Sequence, residues 1–143
     1  MTTPTSSENY DIVILGSGEA GKFIAWTLAK EGKKTVVIER KWIGGSCPNI
    51  ACLPSKNIIH SAKVGSYFFR SEEFGISKEN VRIDMGAVRD RKRKMVAGLV
   101  DMHLENYKKS GAELVLGSGR FVAPKTVEVA LTDGGMRTFQ GEN

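Results

Sequence analysis

The sequence predicts an α/β fold in which a parallel sheet is flanked by helices and followed by a small β-hairpin or meander. Three observations support this prediction. A β-branched run at 10–15 leads directly into a glycine-rich loop, a second apolar run at 35–39 follows a stretch of helical composition, and strand-like segments return after position 113. Strand, helix and strand in this order form a βαβ unit, whose two strands run parallel.

Length and composition indicate one soluble globular domain. The chain has 143 residues, of which 41% are hydrophobic and 26% charged. It contains no apolar run near the roughly 18 residues that a membrane helix needs. Residues 1–9 are polar and lack the pattern of a secretory signal, so we expect a flexible tail there. We therefore predict a cytoplasmic protein with no membrane partner.

The loop after the first strand matches the pattern Gly-x-Gly-x-x-Gly of dinucleotide-binding proteins. It consists of Gly16, Ser17, Gly18, Glu19, Ala20 and Gly21. The first glycine allows a tight turn, the second lets the backbone approach a pyrophosphate, and the third allows close packing of helix against strand. The amides of the first turn of the following helix then face the phosphates. We therefore predict that these six residues contact a dinucleotide.

An acidic residue stands at the end of the second predicted strand. Glu39 follows the glycine loop at the distance where such an acid accepts hydrogen bonds from a ribose hydroxyl. Because an acid disfavours a 2′-phosphate, FAD or NAD is favoured over NADP. The neighbouring Arg40 is a second candidate contact and keeps the phosphorylated cofactor open.

Both cysteines, Cys47 and Cys52, lie in one stretch that also holds Pro48 and Pro54. In a regular helix, residues five apart have Cα atoms roughly 8–9 Å from each other, whereas a disulfide requires no more than about 7 Å. If the two cysteines bond, the first helical turn must be irregular. The prolines favour such a start, because Pro48 suits the first helical position and Pro54 removes a helical hydrogen bond.

Two closely spaced thiols in a reducing compartment favour a redox-active pair over a structural crosslink. A helix N-terminus gives Cys47 thiolate character, so we expect it to be the more exposed, attacking thiol, with Cys52 deeper. Lys56 shares the helical face of Cys52 and is placed to hold a negative charge. Two alternatives compete. One is a pair of inert buried cysteines, and the other is a metal site, for which only His60 and His103 remain as ligands at unfamiliar spacings. We predict no metal.

Two helices are predicted after the cysteines, one continuing to about position 70 and a longer one over 85–109. The inward-facing residues are expected to be Ile58, Ile59, Ala62 and Tyr67 of the first helix and Met95, Leu99, Met102 and Asn106 of the second. Much of the net charge of +5 comes from a basic cluster on the longer helix. No aromatic residues interleave this cluster to stack on bases, so we predict a solvated face and no nucleic-acid partner.

Strands return in the last thirty or so residues. Positions 113–116 predict a third parallel strand, and 126–131 and 136–139 predict a hairpin joined through an Asp-Gly-Gly turn. The glycines of the segment 117–121 are compatible with an ordinary turn.

The stretch 44–56, Gly-Gly-Ser-Cys-Pro-Asn-Ile-Ala-Cys-Leu-Pro-Ser-Lys, together with the glycine loop and Glu39, resembles the N-terminal FAD-binding domain of class I pyridine nucleotide-disulfide oxidoreductases. Its Pro-Ser-Lys ending is most similar to the dihydrolipoamide dehydrogenase and mercuric reductase branches. The resemblance implies a Rossmann-like FAD-binding domain over residues 10–143, with FAD as cofactor and NAD(P)H as electron donor.

The resemblance also implies roles for single residues. Cys47 is the expected interchange thiol that meets substrate, Cys52 the thiol against the flavin ring, and Lys56 a cation near the flavin. Gly45 and Ser46 fall where the family contacts the pyrophosphate side of the flavin.

Two further positions bear on the resemblance. The segment 117–121 resembles the family stretch that runs past the adenine, which makes Gly119 a candidate cofactor contact as an alternative to the turn. Ala51 stands where the family usually has glycine.

The function implied is that of an FAD-dependent disulfide oxidoreductase. Electrons would pass from NAD(P)H through flavin to the Cys47–Cys52 disulfide and on to a small-molecule or protein disulfide or Hg(II). The family's nicotinamide-binding and C-terminal dimerisation domains are absent, so we expect an N-terminal portion of a longer enzyme, homodimeric at full length. The alternative is a non-catalytic FAD- or nucleotide-binding or thiol redox-sensing module.

Overall fold

A computed structural model describes residues 7–142, in which strands near both ends of the sequence enclose a helical middle. The strands are β1 (Glu8–Tyr10), β2 (Ile12–Leu15), β3 (Thr35–Glu39), β4 (Glu113–Ala123), β5 (Thr126–Leu131) and β6 (Met136–Gly141). The helices are α1 (Glu19–Lys30), α2 (Ser46–Asn49), α3 (Cys52–Phe69) and α4 (Met85–Ser110), with a 3₁₀ turn at Ser71–Phe74.

Within the described residues, the strands form one sheet in the order β1-β6-β5-β4-β3-β2. β2, β3 and the first part of β4 run parallel, as predicted, whereas β4, β5 and β6 form an antiparallel meander. β1 lies parallel to β6 at the other end. Only Asp11 separates β1 from β2, so one stretch of chain reaches both ends of the sheet order, and the sheet curls into a half-barrel.

Apolar side chains pack on both faces of this curled sheet. The inner cluster comprises Tyr10, Val36, Ile38, Val115, Val127, Val129 and Phe139. The outer cluster, where α1 and α4 cover the sheet, comprises Ala25, Trp26, Val37, Tyr107 and Ala112. β3 contributes alternate residues to the two clusters, and all of its residues are buried. The first βαβ unit is therefore covered on both sides, as its β-branched sequence predicts.

The predicted flexible tail over 1–9 is wrong for its last residues, which belong to β1. Arg137 on β6 donates from Nη2 and Nε to the two carboxylate oxygens of Glu8, at 2.6 and 2.8 Å. This paired geometry and the ladder to β6 order a segment whose composition alone indicates a tail. Residues 1–6 of the predicted tail lie outside the described part of the chain.

β4 is one continuous strand, so the reading of 117–121 as an ordinary turn is wrong. A Cβ atom added at Gly117 would lie 2.6 Å from the carbonyl oxygen of Ala130, and one at Gly119 would lie 2.7 Å from Cδ2 of Leu15. The glycines therefore allow close approach inside the sheet, where β4 changes from a parallel to an antiparallel partner. The predicted hairpin of β5 and β6 is confirmed.

The long helix is confirmed, but its buried face differs from the predicted stripe. α4 begins where the Asp84 side chain accepts from a backbone amide of the first turn and ends at Gly111, whose φ is +80°. His103 and Tyr107 are buried, whereas Met102 is exposed. The reason is that α1 and the turn before α2 pack against the side of α4 that carries His103.

α3 exposes the side chains that were predicted to face inward. Ile58, Ile59, Ala62 and Tyr67 are all exposed, and Pro54 is the buried residue of this helix. α3 packs mainly along α4 rather than on the sheet, so it covers little of its own apolar surface. No helix within residues 7–142 combines the length and the apolar character needed to cross a membrane.

Candidate functional site

The glycine loop adopts the geometry that its three glycines predict. Gly16 has a φ of +96°, and its amide donates to the carbonyl oxygen of Ile38 on β3 at 2.8 Å. A Cβ atom at Gly21 would lie 2.1 Å from the carbonyl oxygen of Gly16, so α1 packs against the end of β2 at glycine distance. A Cβ atom at Gly18 would meet nothing within 4 Å. The loop thus leaves open space in front of Gly18.

The N-terminus of α1 opens onto this space. Gly18 is the N-cap, and no side chain caps the helix. The first-turn amides, including those of Glu19 and Ala20, are the groups through which a helix N-terminus binds an anion. The side chain of Glu19 is about half exposed at the same end of the helix.

Glu39 is buried and ties the glycine loop to the chain that follows β3. Its Oε2 accepts from the amide and the hydroxyl of Ser17 at 2.9 and 2.7 Å, and its Oε1 accepts from the amides of Lys41 and Trp42 at 2.7 and 3.0 Å. Burial alone would raise the pKa of Glu39, but these hydrogen bonds outweigh it and hold the pKa below its usual value. The carboxylate is therefore ionised, with all of its roughly four acceptor sites engaged.

Ser17 has a choice of partners. Its hydroxyl lies 2.7 Å from Glu39 Oε2 and 3.3 Å from the carbonyl oxygen of Trp42, and it accepts from the amide of Gly44 at 2.9 Å. Rotation of this hydroxyl toward Trp42 releases one acceptor site on Glu39. A ribose hydroxyl can then take that site without moving any backbone amide.

A cleft of about 300 Å³ lies at the carboxyl ends of β2 and β3, beside β4. Its lining residues are Leu15, Gly16, Ile38, Glu39, Arg40, Gly117, Ser118 and Gly119. The cleft thus brings together Glu39, Arg40 and Gly119, which are far apart in sequence. This edge is where parallel α/β sheets bind their ligands.

The turn before α2 joins the glycine loop to the cysteines. Gly44 and Gly45 have φ values of +88° and +82°. A Cβ atom at Gly45 would lie 2.7 Å from the Cα of Gly18, so the two backbones are in direct contact. The Asn49 side chain donates to the carbonyl oxygens of Ile43 and Gly45 at 2.9 and 2.7 Å, which fixes the turn.

The predicted irregular helix start is confirmed. Cys47 lies in the four-residue helix α2, and Cys52 is the first residue of α3. Between them, the amides of Ile50 and Ala51 both donate to the carbonyl oxygen of Ser46, at 2.9 and 3.0 Å. Ala51 is exposed, and its φ of −115° and ψ of −96° lie outside the main backbone regions of residues with a side chain, at the position where the family usually has glycine.

The expected order of exposure of the two thiols is wrong. Cys47 is half-buried, whereas Cys52 is exposed, and both thiols are free. A hydrogen bond with Cys52, burial and the charges of Cys52 and Glu19 raise the pKa of Cys47, and the charge of Lys56 opposes them. The expected thiolate character of Cys47 is therefore not provided, because α2 has a single turn and carries little macrodipole.

A buried charged cluster under the same turn was missed from the sequence. Lys22 is buried on α1, and its Nζ lies 2.8 Å from Glu19 Oε1 and 2.9 Å from Nε2 of His103 on α4. A Cβ atom at Gly44 would lie 3.0 Å from the His103 ring. The available signal was periodicity, because Lys22 shares the i, i+3, i+4 stripe with the buried Ala25 and Trp26.

No group of three or more His, Cys, Asp and Glu side chains with metal-binding geometry occurs among residues 7–142. Of the sequence-predicted contacts, the glycine loop lies against the turn that carries Gly45, Ser46 and Cys47. Glu39, Arg40 and Gly119 line the cleft at the carboxyl ends of the strands. Lys56, exposed on the second turn of α3, lies one turn beyond Cys52.

Comparison with known proteins gives a consistent assignment. The family model described as pyridine nucleotide-disulphide oxidoreductase matches residues 10–140. A dihydrolipoyl dehydrogenase from Mycoplasma pneumoniae is 35% identical over 123 residues, which cover 85% of this chain and 27% of that protein. The dihydrolipoyl dehydrogenase of Mycobacterium bovis is 36% identical over 136 residues, covering 94% of this chain and 29% of that protein.

A solved structure shares the fold. The HOCl-induced flavoprotein disulfide reductase RclA from Escherichia coli, solved as a Cu(II) complex, superposes with a TM-score of 0.78 at 28% identity. The match covers 94% of this chain and 27% of that one. The chain thus spans between a quarter and a third of the length of the relatives it matches.

Proposed function

Because the chain belongs to the pyridine nucleotide-disulphide oxidoreductase family, we propose that it forms the FAD-binding, dithiol-bearing part of a disulfide oxidoreductase. The contact between Gly45 and Gly18 is the observation that carries this proposal. It sets a two-cysteine helix start directly against a dinucleotide loop. This backbone contact would place the redox-active cysteines next to the redox cofactor.

The residues present fit FAD. The uncapped N-terminus of α1 and the open space before Gly18 suit a pyrophosphate, which needs close backbone approach and free amides. The cleft with Glu39, Arg40 and Gly119 suits the adenosine half. When the Ser17 hydroxyl turns toward the Trp42 carbonyl oxygen, one acceptor site on Glu39 becomes free for the ribose. The side that carries Gly45, Ser46, Cys52 and Lys56 would hold the flavin half.

When bound, a reduced flavin would supply two electrons to the Cys47–Cys52 disulfide. Reduction of the Cys47–Cys52 disulfide breaks one S–S bond and takes up two electrons and two protons, which yields two thiols. Cys47 then attacks one sulfur of a substrate disulfide, and its thiol proton passes to the first substrate thiol as that thiol departs. Cys52, as thiolate, attacks the Cys47 sulfur, restores the protein disulfide and releases the second substrate thiol.

The two thiols have different settings for these roles. Cys52 is the exposed first residue of the 18-residue helix α3. The family resemblance assigns it to face the flavin. Cys47 is left to meet the substrate, and a dithiol of this kind also suits capture of Hg(II), a soft metal that prefers thiolate ligands. We propose a disulfide as the substrate class, with NAD(P)H as electron donor.

Anaerobic reduction of the FAD-reconstituted chain tests the proposal. We expect tight flavin binding and, after two-electron reduction, a long-wavelength charge-transfer band. Cys52→Ser should abolish the band and Cys47→Ser should strengthen it, while the exposed control His60→Gln leaves it unchanged. The reverse pattern in the two serine variants would overturn the assignment of roles. Absence of flavin binding, with reversible thiol oxidation retained, would instead support a thiol redox-sensing module.

For the full-length protein we propose a cytoplasmic homodimer. A dithiol that cycles between oxidised and reduced states suits a reducing compartment. Sedimentation of the full-length form and cell fractionation test the two statements.

A further inference from the structure

The first turn of α1 holds two opposite charges at a place where a single cation is unfavourable. Lys22 is 4% exposed, and its ammonium group lies in the first helical turn, where the helix macrodipole disfavours positive charge. A buried ammonium group also requires close partners to offset its desolvation. Its retention at this position therefore needs a physical reason.

Two partners provide the required compensation. Glu19 Oε1 lies 2.8 Å from Lys22 Nζ, and Nε2 of His103 on α4 lies 2.9 Å from it. Burial lowers the pKa of His103, and its Nδ1 faces the carbonyl oxygen of Leu99. His103 is therefore a neutral ring that donates from Nδ1 and accepts from Lys22 at Nε2.

The carboxylate of Glu19 lies close to the amides that would bind a phosphate. An acid in the first turn is favourable for the helix itself, but its side chain stands at the open end of the glycine loop. An uncompensated carboxylate there would repel any phosphate brought to the same amides. The ion pair with Lys22 reduces that repulsion, and the contact with His103 holds the ammonium group in position.

We propose that Glu19, Lys22 and His103 form a charge-compensating triad that sets how strongly the glycine loop binds a diphosphate. Lys22 is a positioning residue in this scheme, because it acts on the diphosphate through Glu19. The inference rests on the proposed function, since it assumes that the loop receives the pyrophosphate of FAD.

Binding of ADP and of adenosine to the purified chain, measured by calorimetry, tests this inference. Adenosine shares the cleft but lacks the diphosphate, so an effect through charge at the loop must appear with ADP alone. We expect Glu19→Gln to tighten ADP binding about threefold, from the usual strength of a charge near a helix N-terminus. Lys22→Met should weaken ADP binding by a similar factor, and Lys22→Arg should restore it.

Two controls separate electrostatics from folding. The combined variant Glu19→Gln with Lys22→Met should bind ADP about as tightly as the wild type, because both charges are then gone. Glu31→Gln removes an equal charge from the far end of α1 and should leave ADP binding unchanged. The effects of Glu19→Gln should shrink at high salt.

The outcomes are distinguishable. ADP binding that ignores both Glu19→Gln and Lys22→Met, or equal changes for ADP and adenosine, overturns the triad and leaves the proposed function standing. A wild-type chain that binds neither FAD nor ADP overturns both. Because Glu19 is exposed, Glu19→Gln should fold normally, and its ADP binding tests the triad even if Lys22→Met fails to fold.

Discussion

The curled sheet and the α3–α4 helical pair differ sharply in how completely they bury their apolar side chains. Every residue of β3 is buried, and Val127, Val129 and Phe139 are essentially inaccessible within the curl. On α3, by contrast, Ile59, Phe68 and Phe69 are each more than half exposed. Hydrophobic stabilisation within residues 7–142 is therefore concentrated in the sheet and in the two helix faces that cover it.

The candidate site lies between these two regions, so its two ends are built on different parts of the fold. The cofactor end, formed by the glycine loop, Glu39 and the cleft, is built on the well-packed sheet. The thiol end begins the poorly buried helical pair, and the glycine turn before α2 holds it against the loop. In the proposed function, the well-packed sheet would position the cofactor and the less buried helical pair would carry the exchanging sulfurs.

Removing one buried ring should have the largest effect. Phe139→Ala deletes a fully buried side chain and is expected to lower the free energy of unfolding by about 3–5 kcal/mol. Phe68→Ala on α3, the matched control, should change it by less than about 0.5 kcal/mol. Urea denaturation measures both. Similar losses for the two variants would show that α3 buries its aromatic side chains as effectively as the sheet does.

A methyl group added at a glycine tests how tightly the backbone packs at the site and on α4. Gly21→Ala places a carbon on the Gly16 carbonyl oxygen and is expected to cost about 1–3 kcal/mol and to weaken FAD binding. Gly98→Ala in the open middle of α4 meets no neighbour and should stabilise by about 0.5–1 kcal/mol. Thermal melts should therefore shift in opposite directions.

The ion pair between Glu8 on β1 and Arg137 on β6 gives a pH-dependent prediction. The hydrogen bond from Arg137 lowers the pKa of Glu8 below its usual 4.5. A depressed carboxyl pKa contributes stability that is present above pH 4.5 and lost as the pH falls through the lower, folded-state value. Arg137→Met should therefore cost about 1 kcal/mol at pH 7 and less at pH 3.

The matched control for the Glu8–Arg137 ion pair is the Arg120–Glu128 pair between β4 and β5, whose arginine is largely exposed. Arg120→Met should cost less than about 0.5 kcal/mol at either pH. A cost for Arg137→Met that is constant between pH 3 and pH 7 would show that Glu8 contributes nothing through its charge.

The smallest effect is expected between the two exposed helices. Arg91 on α4 donates to the hydroxyl of Ser61 on α3 at 2.7 Å. Arg91→Gln should change global stability by less than about 0.5 kcal/mol. It should still speed amide hydrogen exchange on α3, whereas Arg93→Gln, which lies beside Asp90 of its own helix, should not.

Much of the fold and of the site's cofactor end follows from local sequence. The glycine loop, the two parallel strands and the hairpin are short-range patterns, and each appears where the sequence predicts it. The predictions that failed, and the burial of Lys22 that was not predicted, depend on how distant elements pack against one another. The exposure of Ile59, the burial of Lys22 and the ordering of Glu8 are all decided by partners on other elements.

Sequence alone is enough to predict the α/β class, the positions that need glycine and the break between Cys47 and Cys52, because backbone geometry and residue spacing act locally. Only the tertiary structure decided that β1 and β2 reach both ends of a curled sheet and that Glu39 is saturated by its own chain. It also decided that His103 completes a charged cluster beneath the turn that leads to the cysteines. These outcomes depend on contacts between residues far apart in sequence, which composition and periodicity do not encode.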